Sequence, residues 1–184
     1  MITIVLFFVM YGIGMVVFKS AGFAKTQNFL NLFVSNAGLI VIAGGMTIVM
    51  ITGGIDISVG SVVAMVCMIL AYFMENKGWG AIPTTLFVLA IGIVFGLAQG
   101  YLVAYMEIQP FIVSLAGMFF ARGMTSIISQ EMISIKNEMF LAWAQAKIYL
   151  PFGGYTNKKG KLIMPYIYPS VVIALVVLVL LFIV

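Results

Sequence analysis

The sequence predicts an all-α membrane protein with about six transmembrane helices and a glycine-rich break in the helical pattern around residues 52–60. Of its 184 residues, 64% are hydrophobic and 8% are charged, whereas soluble domains are about half apolar and about a quarter charged. The apolar residues also form runs that approach the roughly 20 residues that a helix needs to cross a bilayer core. Because backbone groups in lipid must bond within their own segment, helices are the expected form of these runs.

Six apolar runs define the predicted helices. They are Ile2–Phe18, Phe33–Ile51, Ile57–Met74, Ile82–Met106, Pro110–Ile128 and Met164–Val184. The first run has no basic residues before it and exceeds the 7–15 apolar residues of a signal peptide, so we interpret it as an uncleaved span. The last run ends without a polar cap, so we expect the chain to be the N-terminal portion of a longer protein. Residues 1–184 are predicted to form a single transmembrane domain.

A long polar stretch, Ser129–Ile163, separates the fifth and sixth runs. Connections of this length are usually functional or disordered. All eight lysines fall in the odd-numbered connections, including this one. The positive-inside rule would place those connections in the cytoplasm and the N-terminus outside.

The residue inventory excludes several kinds of chemistry. There is no histidine, and Cys67 is the single cysteine, which excludes disulfides within the chain, Cys/His zinc sites and histidine-based catalytic triads. No phosphate-binding loop of the GxxxxGK[ST] type occurs, and the net charge of +4 is dispersed. The sequence therefore predicts no catalytic site, no metal site, no cofactor bound by this chain and no nucleic-acid partner.

Asp56 lies between two apolar runs in the stretch ITGGIDISVGS. An aspartate in the middle of a lipid-facing helix costs about 2.5–3.5 kcal/mol on insertion scales, so we expect it in a loop, a bundle interior or a water-filled cavity. Gly53, Gly54 and Gly60 favour non-helical backbone around it. Two interpretations have equal weight: a turn in which Asp56 or Ser58 caps the next helix, or a broken helix lining a solute path.

The fourth run carries three glycines at four-residue steps, Gly92, Gly96 and Gly100. On a helix they share one face, which predicts close packing against a neighbouring backbone. Gln99 lies beside this face, where its amide would bridge helices or contact a polar solute. The first role, a packing contact between helices, is the favoured one.

Two further polar residues lie within apolar runs, Asn36 in the second and Arg122 near the end of the fifth. Arg122 would either extend its guanidinium to the headgroups or pair with Asp56 or Glu107. The sequence leaves both alternatives open.

Two motifs in this order resemble a known family. GGIDISVGS at Gly53–Ser61, followed by GLAQGYLVAYMEIQPFIVSLAGMFFARGM at Gly96–Met124, resembles the permease subunit of ribose-type bacterial sugar ABC importers. The form LAGMFFARG is most similar to the galactofuranose branch, and the resemblance extends from about Phe23 to Lys136. Gln99 and Ser114 stand where the family often has Asn and Thr.

The resemblance implies a set of partners and a location. It implies a second permease subunit, two cytoplasmic ATPase subunits that bind ATP, a soluble sugar-binding protein, and the bacterial inner membrane. It also implies a cytoplasmic N-terminus, against the lysine distribution, which would place Ser129–Ile163 outside, where the binding protein docks. The family's later helices and its ATPase-contacting segment would lie beyond Val184.

The leading hypothesis is a permease subunit of an ATP-driven importer for a monosaccharide. The residues expected near the translocation path or its gates are Asp56, Ser58, Asn36, Gln99 and Arg122. One alternative is an ion- or proton-coupled secondary transporter with Asp56 as the coupling carboxylate. Another is a membrane assembly subunit that transports nothing. The sequence leaves open which sugar is carried and whether the permease pair is homo- or heteromeric.

Overall fold

The computed structural model describes residues 2–18, 23, 25–151, 153–156 and 162–183. Among them are seven helices: α1 (Ile2–Val17), α2 (Thr26–Ile51), α3 (Val59–Glu75), α4 (Ala81–Ala104), α5 (Pro110–Ile128), α6 (Glu138–Ala144) and α7 (Pro169–Ile183). Four two-residue strands accompany them: β1 (Ile148–Tyr149), β2 (Tyr155–Thr156), β3 (Leu162–Ile163) and β4 (Tyr166–Ile167). The fold is therefore predominantly helical, as predicted. Val184 and Asn157–Lys161, which belong to the predicted sixth helix and the long polar stretch, lie outside the described residues.

Each of the six predicted runs overlaps one helix, but two helices begin more than two residues from the predicted start. Helix α2 begins at Thr26 rather than Phe33, because a helix can continue beyond its apolar run through polar residues. Helix α7 begins at Pro169 rather than Met164. Proline is well suited to a first helical position, and the residues Tyr166–Ile167 before it are paired in a strand.

Three helices, α2, α4 and α5, are long and apolar enough to cross a membrane, by length and composition. The apolar helices α1, α3 and α7 are shorter. A helix rises about 1.5 Å per residue, so the 17 residues of α3 extend about 25 Å, slightly less than the roughly 30 Å of a bilayer core. The prediction of six spans accordingly stays a prediction.

The chain divides into two compact units, Met1–Val41 with Gln145–Val184, and Ile42–Ala144. In the first unit, Ala37 of α2 packs with Val171 and Ala174 of α7 in a small buried core. Strand β1 pairs antiparallel with β4, and β2 with β3, so this part of the long polar stretch forms a hairpin that was not predicted.

One glutamine side chain secures this hairpin to α2 within the first unit. The Gln27 amide Nε2 donates to the Tyr166 carbonyl at 3.1 Å, and the Tyr166 amide donates to Gln27 Oε1 at 2.8 Å. The side-chain amide thus pairs with the backbone of β4 as a neighbouring strand would.

The second unit is built on helices α3, α4 and α5. Its core contains Met65 and Ile69 of α3, Val88 of α4 and Ala121 of α5.

Helices α3 and α5 run in parallel. Ser114 near the start of α5 bonds to Ile55 just before α3, and Arg122, further along α5, bonds to Ser61 of α3. The C-terminal ends of α3 and α5 therefore lie at the same end of this unit.

Candidate functional site

The connection between α2 and α3, residues 52–58, begins with a glycine-dependent helix ending. The Gly54 amide donates to the Val49 carbonyl at 3.0 Å, and the Gly53 amide donates to the Met50 carbonyl at 3.0 Å. With Gly53 at a φ of +79°, this is the Schellman arrangement, which places glycine at the left-handed position after the last helical residue. Gly60, predicted as part of the break, lies instead in the first turn of α3, because that helix begins at Val59.

The Asp56 carboxylate organises the start of α3. Its Oδ1 accepts a hydrogen bond from the Ser58 amide at 2.7 Å and another from the Ser58 hydroxyl at 2.6 Å. Ser58 occupies the N-cap position, but its side chain makes no capping hydrogen bond. The expectation that Ser58 itself caps α3 is therefore wrong: its hydroxyl donates to the carboxylate instead.

Helices α4 and α5 hold this connection from two sides. The Gln99 amide Nε2 of α4 donates to the Ser58 hydroxyl oxygen at 3.3 Å. The Ser114 hydroxyl of α5 lies 3.2 Å from the Ile55 carbonyl and 3.0 Å from the Phe111 carbonyl, and it can donate to either. Ser58 and Ser114 are both buried, so the predicted residues Asp56, Ser58 and Gln99 lie together in a partly enclosed site.

A cavity of about 340 Å³ opens beside this cluster, and we call it the polar cavity. Its polar lining residues are Thr52, Asp56, Gln99 and Ser114. Its volume is at the lower end of the roughly 300–1,000 Å³ that is typical of small-molecule sites. A carboxylate, an amide and hydroxyls around such a space suit a small solute that carries hydrogen-bond donors.

A second cavity of about 730 Å³ lies among α3, α4 and α5, and we call it the apolar cavity. Gln99 is the one polar side chain among its lining residues, which include Ile69, Phe95 and Met124. Gln99 and Val113 line both cavities. These two side chains therefore lie where the polar and the apolar space meet.

Gly117 of α5 lies directly against Gln99, and the sequence analysis did not single it out. A Cβ at this position would overlap the Gln99 amide nitrogen and would lie 3.1 Å from Phe95 Cζ. The Gln99 amide can therefore occupy its present position only if residue 117 is a glycine. The available signal was a glycine in the interior of an apolar helix, which usually has a packing or functional reason.

The three glycines of α4 make no close contact among the described residues. A Cβ at Gly92, Gly96 or Gly100 would meet nothing within 4 Å. Gly96 and Gly100 line the polar cavity. The packing of this face against another backbone stays a prediction.

Asn36 and Arg122 do not line the polar cavity. The Asn36 amide donates to the Leu32 carbonyl of its own helix at 2.7 Å. Arg122 is exposed on α5, and its Nε lies 3.3 Å from the Ser61 hydroxyl oxygen. Arg122 is eight residues beyond Ser114 on the same helix, a rise of about 12 Å. In the described part of the chain its recorded partner is Ser61, rather than Asp56 or Glu107.

Glu75, at the end of α3, is a second residue that the sequence analysis missed. Its Oε1 accepts hydrogen bonds from the Lys136 amide at 2.6 Å and the Asn137 amide at 3.1 Å. Asn137 Oδ1 accepts in turn from the Phe140 amide in the first turn of α6, at 3.1 Å. One carboxylate thus attaches the segment after α5 to the end of α3.

The sequence matches a family model described as "Branched-chain amino acid transport system / permease component" over residues 28–184. The chain belongs to this permease family. It is a multi-pass membrane protein, and the resemblance read from its two motifs is confirmed. No solved structure is significantly similar to it.

Three curated relatives illustrate the similarity. The inner membrane ABC transporter permease protein YjfF of Escherichia coli K12 is 36% identical over 153 residues, which are 83% of this chain and 46% of that protein. The fructose import permease protein FruG of Bifidobacterium longum is 37% identical over 131 residues, 71% of this chain and 38% of that protein. The galactofuranose transporter permease protein YtfT of E. coli K12 is 38% identical over 117 residues, 62% and 34% of the two chains. The chain thus matches less than half the length of each relative.

Proposed function

We propose that the chain is a membrane-spanning permease subunit of an ATP-driven, binding-protein-dependent ABC importer for a monosaccharide. The observation that carries this proposal is the polar cavity beside Asp56 and Gln99 in a chain of the permease family. Relatives named for the import of fructose and galactofuranose support a sugar as the solute. A polar lining of carboxylate, amide and hydroxyl suits the hydroxyl groups of such a solute.

The proposed subunit is not an enzyme and binds no cofactor. ATP is hydrolysed by two separate cytoplasmic ATPase subunits, which act on this chain together with a second permease subunit. A soluble sugar-binding protein delivers the solute, and the complex lies in the bacterial inner membrane. The name of the relative YjfF, an inner membrane permease, supports this location.

In the proposed arrangement residues 1–184 form one transmembrane domain in which α1 to α5 and α7 all cross the membrane. The glycine-rich connection at residues 52–58 acts as a break within the bundle, where Asp56 and Gln99 contact the solute. Asn36 and Arg122 lie near the translocation path at other depths in the membrane. The stretch 129–163 is extracytoplasmic and contacts the binding protein.

A gene deletion in the native bacterium tests this proposal. We expect cells lacking the gene to lose uptake of one radiolabelled monosaccharide from a panel of ribose, fructose, galactose and xylose, and to regain it with the gene on a plasmid. Uptake should stop when cellular ATP is depleted with arsenate and continue when an ionophore dissipates the proton gradient. Unchanged uptake across the panel would exclude a main role in importing these sugars.

One second candidate follows from the half-buried Asp56 in its polar cavity. An ionisable carboxylate in a membrane protein can bind the coupling ion of a secondary transporter. The same uptake assay separates the two functions, because a secondary transporter loses uptake with the ion gradient and keeps it while ATP is low.

A further inference from the structure

We propose that Gln99 is a gate between the polar cavity and the apolar cavity, and that Gly117 is the residue that positions it. The inference deepens the proposed function by assigning a moving part to the same site. It concerns the side chain of Gln99 and its three neighbours Ser58, Gly117 and Phe95.

Gln99 lies between the polar cavity and the apolar cavity and forms a partition that separates them. Its side chain is part of the lining of both cavities, and Val113 is the other residue that they share. The space on one side holds Asp56, whereas Gln99 is the one polar side chain around the other. A charged group within a membrane protein usually faces the bundle interior or water. Moving the Gln99 side chain would therefore join a hydrated space to a dry one.

The hydrogen bond that holds the partition is a long one. Gln99 Nε2 lies 3.3 Å from the Ser58 hydroxyl oxygen, beyond the 2.7–3.2 Å typical of N–H···O bonds. Ser58 is itself held strongly, because its amide and hydroxyl both donate to Asp56 at 2.7 and 2.6 Å. The contact that breaks most readily is therefore the one between Gln99 and Ser58.

The closed position is nevertheless the favoured one. An amide that turned from Ser58 into the apolar cavity would lose its hydrogen-bond partner among apolar side chains, which is unfavourable. On the α5 side, Gly117 has no side chain and so leaves room for the Gln99 amide. Phe95 lies close to the same point. Gln99 thus has one partnered position, defined by Ser58 and Gly117, and an empty space beside it.

Cysteine reactivity tests the partition directly. In a chain with Cys67→Ala, a reporter cysteine replaces Met65, which lines the apolar cavity and is buried. Membranes carrying the full chain are treated with a charged, water-soluble methanethiosulfonate, and the rate of labelling is measured. We expect slow labelling of the parent, because the reporter is separated from the hydrated polar cavity.

The decisive variant is Gly117→Ala, whose added methyl group displaces the Gln99 amide. We expect it to raise the labelling rate at residue 65 about tenfold or more. The matched control is Gly123→Ala on the same helix, where a Cβ meets nothing within 4 Å, and its rate should equal that of the parent. Equal rates for both glycine variants would overturn the proposal.

A compensating change distinguishes positioning from general damage. Adding Gln99→Asn to Gly117→Ala shortens the amide side chain by one methylene and removes the overlap, so labelling should fall back towards the parent rate. A chain with its single cysteine at Ala71, a buried position of α3 outside both cavities, serves as the unfolding control, since unfolding would raise labelling there as well. Failure of the rescue, or an equal rise at residue 71, would contradict the gate.

The labelling experiment is independent of the proposed sugar import. It requires no ATPase, binding protein or solute, so the partition can be refuted while uptake persists. Conversely, a chain that imports no sugar would still show the labelling pattern if Gln99 separates the cavities.

Discussion

Asp56 contributes both to the start of α3 and to the lining of the polar cavity. Its Oδ1 accepts both hydrogen bonds from Ser58, and the carboxylate also lines the polar cavity. The two interpretations of this residue, a turn that stabilises a helix start and a polar group beside a solute path, are therefore compatible.

Replacing Asp56 with asparagine should separate these roles. Asparagine keeps an oxygen that can accept from Ser58 but removes the charge, so we expect normal membrane insertion and a fall in sugar uptake of roughly tenfold. Hydrogen bonds to charged groups contribute about 1.5–3 kcal/mol, and 1.4 kcal/mol corresponds to about tenfold. Uptake and membrane abundance are measured in the same cells.

The control for this substitution is Glu107→Gln, which removes an exposed carboxylate from the turn between α4 and α5. It should leave uptake unchanged. If the Asp56→Asn cells transport as well as the wild type, the carboxylate is a dispensable part of the turn.

The sequence indicated those site residues whose polar side chains are unfavourable in lipid. It did not indicate residues whose role comes from contact with a residue distant in sequence. Asp56 and Gln99 were predicted because a charged group and an amide close to lipid are unfavourable unless they have polar partners. Gly117 and Glu75 were not singled out. The importance of Gly117 depends on the Gln99 side chain, which is distant in sequence, and that of Glu75 on backbone amides beyond α5.

At the scale of elements, the end of α2 depends on small residues at two successive positions. Gly53 supplies the left-handed backbone, and Gly54 is buried against Val49 and Pro110. A Cβ at Gly54 would lie 3.2 Å from Val49 Cγ1 and 3.3 Å from the Val49 carbonyl oxygen.

We expect Gly54→Ala to destabilise the chain, because the added methyl group crowds Val49 at the end of α2. Overpacking of this kind typically costs about 1–3 kcal/mol. The measurement is the thermal unfolding midpoint in detergent. Gly60→Ala is the control: its Cβ would meet nothing within 4 Å, and alanine favours a helix, so its midpoint should not fall. Equal midpoints for both variants would show that the space around Gly54 is not restrictive.

Glu75 connects two elements, the end of α3 and the segment that leads into α6. Removing its carboxylate in Glu75→Ala should free the amides of Lys136 and Asn137. A net loss of about 1 kcal/mol per hydrogen bond corresponds to roughly fivefold faster hydrogen–deuterium exchange. Exchange of this segment is read by mass spectrometry. Glu131→Ala, which removes a carboxylate from the same segment, should leave the exchange unchanged; equal rates in both variants would refute the attachment.

The six helices that overlap apolar runs were predictable from the sequence, whereas α6 and the hairpin were not. Each apolar run is long enough to be recognised by its length and composition, and each one overlaps a helix. The strands have two residues each, too few for an alternating pattern. Their pairing is supported instead by the Gln27 side chain, which lies far away in sequence.

At the scale of the whole molecule, the parallel arrangement of α3 and α5 predicts which connections share a membrane face. Residues 76–80 and the segment after Ile128 should both be extracytoplasmic, with Glu107 on the opposite side. In chains lacking Cys67, single cysteines at Asn76 and Gln130 should react with an impermeant maleimide in intact cells. A cysteine at Glu107 should react only after permeabilisation. Different sidedness at Asn76 and Gln130 would contradict the parallel arrangement, and the opposite result at all three would reverse the orientation.

Helix α3 has a contact of interest at each end. Its last residue, Glu75, holds the segment that leads into α6, and its N-cap, Ser58, holds both Asp56 and Gln99. From Val59 to Glu75 the helix has 17 residues and a length of about 25 Å. A helix resists stretching along its axis, so a displacement of the segment at Lys136 along that axis would also displace Ser58. A protein that docks on that segment would therefore have a mechanical route to the Gln99 side chain without touching either cavity.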